Sequence, residues 1–115
     1  MQFLALIVFI TVAFFGLYLV KRRRNNKKVN RLMIGTHGLA GGVGVLILFI
    51  GQLRGEWSNL GWISVGLFSV LLIFGFLVFG KWFKHRKTSS LIIAAHGVFA
   101  TICIAILTYS LIMVN

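Results

Sequence analysis

Leu32-Met33-Ile34-Gly35-Thr36-His37-Gly38-Leu39-Ala40 has an echo in Leu91-Ile92-Ile93-Ala94-Ala95-His96-Gly97-Val98-Phe99-Ala100. Each stretch sets a His-Gly pair inside a long apolar run that follows a basic segment, and the two histidines lie 59 positions apart. The same shift, without a gap, brings Phe9 onto Phe68, Phe15 onto Phe74, Gly16 onto Gly75, Lys28 onto Lys87, Leu32 onto Leu91, Ile34 onto Ile93, Ile47 onto Ile106 and Leu48 onto Leu107. Apolar coincidences are cheap in a chain that is 59% hydrophobic. The shared Phe-Gly, Lys and His-Gly are less so, because they recur at the same places relative to the membrane edge. The chain therefore reads as two tandem two-helix repeats, about 3–56 and about 62–115, in a single transmembrane four-helix domain covering 1–115.

Composition places the chain in the membrane. Its mean hydropathy is near +0.99, it has no proline, and 11% of its 115 residues are charged, which is outside the range of soluble domains. A bilayer core about 30 Å thick takes about 20 apolar helical residues to cross. Four such runs are present, Phe3 to Val20, Leu32 to Leu53, Leu60 to Gly80 and Leu91 to Val114. They are continuous rather than alternating, and four strands cannot close a barrel and satisfy their edges in lipid. The expected class is an all-α integral membrane protein with four transmembrane helices.

Charge sets the expected orientation. Seven basic residues lie between Lys21 and Arg31, four more between Lys81 and Lys87, and only Arg54 lies elsewhere. Cytoplasmic loops collect Lys and Arg. Both basic loops are therefore expected inside a plasma (inner) membrane and both termini outside, with Trp57 and Trp62 at the outer interface and Trp82 at the inner one. The net charge of +11 flanks membrane spans. It points to anionic lipid headgroups, at roughly 1 kcal/mol per basic residue near the surface, and not to nucleic acid. The first helix has its positive charges behind it, the reverse of a signal peptide, and is expected to be retained.

The residue inventory excludes much chemistry. Glu56 is the single carboxylate, so there is no acid pair for general acid-base work, no intramembrane acid for a cation relay and no carboxylate cage for a hard metal. Cys103 is the only cysteine, so no intrachain disulfide forms. Deep in the fourth helix it reads as a small apolar residue. His85 lies among Lys84, Arg86 and Lys87 and reads as a solvated loop residue.

His37 and His96 are different, because ionisable groups within a membrane are costly and need a partner. Two repeats of two spans each enter the membrane in the same direction, so a pseudo-twofold along the membrane normal relates them. His37 and His96 then lie at equal depth on either side of the bundle axis. A b-type haem answers the question of what joins two imidazoles with no acid available, since its iron takes one histidine on each axial side. His37 and His96 are the expected axial (metal) ligands, with Gly38, Gly41, Gly97 and Ala100 giving clearance. Lys28, Arg31, Arg86 and Lys87 are the candidate partners of the propionates.

This arrangement resembles small membrane cytochromes b, in which facing helices of a four-helix bundle supply histidine pairs. The resemblance covers the His-Gly segments and the helix count. Many transmembrane electron carriers stack two haems on four histidines, whereas this chain has two histidines in its spans. The expected role is thus electron exchange at the cytoplasmic leaflet, with a quinone or a membrane redox protein, by a monomer, a homodimer or a subunit of a larger complex. Two other readings stand beside it. One is an accessory or assembly subunit whose imidazoles bond to protein groups, and the other is a small proton- or metal-conducting transporter that uses the histidine pair.

Overall fold

Lipid offers the backbone no hydrogen-bond partners, so each apolar run satisfies its own N–H and C=O groups as a helix. The computed structural model describes residues 2–55, 59–79 and 90–114. It contains α1 (Gln2–Arg24), α2 (Arg31–Leu53), α3 (Asn59–Phe79) and α4 (Ser90–Val114), and each is long and apolar enough to cross a membrane. Together they form a bundle 44 Å long and about 20 Å across. That length matches the roughly 40–45 Å of a bilayer with its headgroups. Glu56, Trp57, Trp82, His85, Arg86 and Lys87 fall outside the described residues.

The helix ends have local causes. α1 runs four residues beyond the apolar stretch, through Lys21, Arg22, Arg23 and Arg24, because Lys and Arg are good helix formers and offset the negative C-terminal end of the helix dipole. It stops at Asn26, whose φ of 58° is the left-handed conformation that Asn tolerates better than most residues. There the Lys27 N–H donates to the Arg22 carbonyl at 2.9 Å and the Asn26 N–H to the Arg23 carbonyl at 3.1 Å, a Schellman turn. Arg22 then ties the linker down, its guanidinium donating to the Lys28 carbonyl at 2.9 and 3.2 Å and to the Tyr18 hydroxyl at 3.3 Å. α2 begins at Asn30, whose side chain accepts from the Met33 N–H at 2.9 Å, the standard N-cap bond. It ends where Gly55 adopts φ 72°.

Each helix packs on its neighbours in chain order, and α1 closes the ring against α4. α2 and α4 therefore stand on one diagonal, and α1 and α3 on the other. The second diagonal is bridged by Phe9 and Phe68, whose rings stack with centroids 3.8 Å apart and planes 8° from parallel. Around them lie Ala5, Leu48, Val65, Leu71, Cys103, Leu107 and Leu111. This core occupies the half of the bundle remote from the Lys21–Arg31 segment. Each buried residue described in α1 and α2 has a buried residue 59 positions later: Ala5 and Ser64, Phe9 and Phe68, Gly44 and Cys103, Leu48 and Leu107, Gly51 and Ser110, Gln52 and Leu111.

The half toward the basic segment is built differently. Among the described residues, none from Ile10 to Val43, from Leu72 to Leu77 or from Ser90 to Ile102 is fully buried. Six hydroxyls along the spans find partners on their own helices. Thr11, Thr36, Ser64, Ser69, Thr101 and Thr108 each donate to the carbonyl four residues back, at 2.7–3.1 Å, as side chains without water commonly do.

Candidate functional site

Both histidines of the spans lie in this half, which has no fully buried side chain among the described residues. His37 projects from α2 toward α1, where Gly16 leaves room for it. A Cβ built on Gly16 would stand 2.9 Å from the imidazole Cε1 of His37, closer than carbon atoms approach without displacement. The neighbouring Phe15 ring lies 6.1 Å from the imidazole, tilted by 37°. The backbone of Val12, one turn before Gly16, interacts with the same imidazole. Glycine at the fourth position after a carbonyl leaves that carbonyl uncovered, so Gly16 both admits the ring and bares a hydrogen-bond acceptor beside it.

His96 sits in the corresponding way between α4 and α3. A Cβ on Gly75 would stand 3.3 Å from its Cε1, and Phe74 stacks on the imidazole at 6.2 Å and 16°. In both cases a Phe-Gly pair on the preceding helix receives the ring, 21 residues before the histidine. The Nδ1 atoms of both imidazoles are shielded from the surface.

The Phe9–Phe68 stack fixes the relative depth of the two rings. Gly16 lies seven residues beyond Phe9, and Gly75 seven beyond Phe68. Each is therefore about 10.5 Å closer to the basic end at 1.5 Å per residue. Since the two phenyl rings touch, Gly16 and Gly75 share one level, and so do the imidazoles packed on them. His37 and His96 are also within electrostatic reach of one another.

The remaining expected site residues are more dispersed. Gly38 and Gly41 face α3, where Cβ atoms would contact Phe76 and Leu72, each at 3.7 Å. Gly97 is exposed, with nothing within 4 Å of a Cβ. Ala100 is half-buried against the edge of the core. Lys28 and Arg31 are exposed at the basic end, and Arg86 and Lys87 fall outside the described residues. Cys103 is buried among the core side chains, two turns beyond His96.

Among the described residues, no three His, Cys, Asp or Glu side chains come together as a metal site. Two imidazoles leave most positions of a zinc or copper ion empty. Gly16 and Gly75 are the site residues least obvious from the residue types alone. Their signal was the constant spacing of 21 from the glycine of each Phe-Gly pair to the histidine, which has meaning only if the two touch. No protein-family model, curated protein or solved structure matches the chain.

Proposed function

We propose that this chain is a membrane b-type cytochrome-like protein that would hold one haem b, with His37 of α2 and His96 of α4 as the residues that would ligate its iron. The observation that carries the reading is the pair of imidazoles at one depth on diagonal helices, each set on a glycine of the helix before it. The absence of fully buried side chains around them, among the described residues, supports it too. Fully buried side chains lie beyond Phe9 and Phe68; at the level of the histidines no described side chain is fully buried.

The bound group would supply one-electron chemistry, and the chain supplies ligation and electrostatics. His37 and His96 provide the nitrogen donors. Gly16, Gly75 and Ala100 keep bulk off the helix faces at and near that level. Lys28 and Arg31, with Arg86 and Lys87 from the second basic segment, offer cations to the propionates. The matched burial at 59 positions and the self-stacking of Phe9 on Phe68 support a duplicated hairpin with a pseudo-twofold along the membrane normal. With the basic segments cytoplasmic, electrons would be exchanged at the inner leaflet, with a quinone or a membrane redox protein.

The test is a visible spectrum of the purified chain, loaded with haem, before and after dithionite. A reduced alpha band that is lost in His37→Ala and in His96→Ala, with helical content intact, is the expected result. A colourless protein after growth in ample haem and after titration with hemin would overturn the reading. The imidazoles would then be packing groups between helices. Proton- or metal-dependent flux in liposomes, abolished by the same substitutions, would mark a transporter instead.

A further inference from the structure

At the basic end of α1, Leu17, Val20, Lys21, Arg24 and Asn25 line a cleft of about 410 Å³. The spacing of these residues puts them on one helix face, with the apolar pair toward the middle of the span and the cations at its edge. Leu17 and, one turn deeper, Phe14 are 64% and 67% exposed, so the apolar track continues down the outside of the helix. Arg22, which lies between the two cations in sequence, is committed elsewhere by its bonds to the Lys28 carbonyl and the Tyr18 hydroxyl. The helix dipole would place partial negative charge at this end. Here the Schellman turn ties up terminal carbonyls, and four basic residues in the last turn outweigh them. The chain's one carboxylate, Glu56, follows the opposite end of α2.

We propose that this cleft is a binding site for one anionic phospholipid, with its phosphate on Lys21, Arg24 and the Asn25 amide and an acyl chain along Leu17 and Phe14. The ligand must carry net negative charge at the membrane edge and hydrocarbon directly below it. A zwitterionic headgroup would bring a quaternary ammonium toward two cations, and free phosphate has nothing to place on Leu17.

The test uses the full chain in detergent, titrated with phosphatidylglycerol or phosphatidylcholine and followed by native mass spectrometry. One phosphatidylglycerol should be retained per chain under conditions that strip phosphatidylcholine. Arg24→Gln should weaken that retention by about tenfold, the scale of one charge-assisted hydrogen bond. Lys27→Gln removes an equal charge a few residues away and should leave retention within about twofold, since exposed charges off the site are screened. Arg24 is exposed, so its replacement leaves the helices formed, and circular dichroism checks this. Equal retention of the two lipids, equal loss in the two variants, or displacement by millimolar inorganic phosphate would each overturn the site.

Discussion

Gly44→Ala is the substitution in which the packing of this bundle can be worked out most fully. A Cβ at position 44 would meet the Phe9 ring at 2.8, 3.0 and 3.2 Å from Cε1, Cζ and Cδ1, where carbon contacts prefer about 3.5–4.0 Å. The ring has little freedom to yield, because its other face stacks on Phe68 at 3.8 Å and Phe9 is only 5% exposed. Overpacking of this kind costs about 1–3 kcal/mol. Against it stands the gain of about 0.5–1 kcal/mol for replacing a mid-helix glycine by alanine. The net expectation is a loss of about 0–2.5 kcal/mol. Gly42, on the same helix, has nothing within 4 Å of a Cβ, so Gly42→Ala keeps only the gain. Equilibrium unfolding of the two variants in mixed micelles should separate them by about 1–3 kcal/mol, the overpacking cost, because the glycine-to-alanine gain is common to both and cancels. If Gly44→Ala proves as stable as Gly42→Ala, Phe9 is not held as described, and the depth argument that levels His37 with His96 loses its anchor.

Other substitutions probe separate parts of the structure. At Gly16 the Cβ would stand 2.9 Å from His37, and at Gly75 it would stand 3.3 Å from His96; Gly16→Ala should therefore disturb its histidine more, read as a larger loss of haem occupancy in the alpha band. Ser110 is fully buried and its hydroxyl has no hydrogen-bond partner, so Ser110→Ala should raise unfolding stability by about 1 kcal/mol, the cost of an unsatisfied buried group. Phe68→Ala should cost about 1–2 kcal/mol in unfolding, less than in a soluble core, because lipid is as apolar as the interior and only packing is lost. Arg22→Ala removes the guanidinium that spans Tyr18 and the Lys28 carbonyl, and tryptic cleavage after Lys27 or Lys28 should accelerate.

The spans, their number and the basic flanks were legible from residue types. The bilayer demands about 20 apolar residues per helix, and the four runs meet that demand with charge only between them. α1 overran its apolar stretch by four residues because Lys and Arg continue a helix until Asn25 and Asn26 turn it. His37 and His96 stood out because an imidazole is costly in lipid wherever it points. The role of Gly16 and Gly75 was only half legible. Their repetition at the histidine spacing was visible, but the contact between helices that gives the spacing meaning was not. Gly38 and Gly41 show the opposite case, since adjacency to His37 in sequence placed them at its site while the fold turned them toward Phe76 and Leu72 of α3.

What the chain's residues determined alone was the element type and the number of spans, both consequences of a solvent that offers no hydrogen bonds. Tertiary structure alone decided which face of each helix meets another helix. In water, apolar periodicity reveals the inward face, because the outward one must be polar. In lipid both faces are apolar, and the choice falls to shape: a ring where a neighbour lacks a Cβ, as with His37 on Gly16 and Phe9 on Gly44. That complementarity exists between helices, and so it appears only once they are packed.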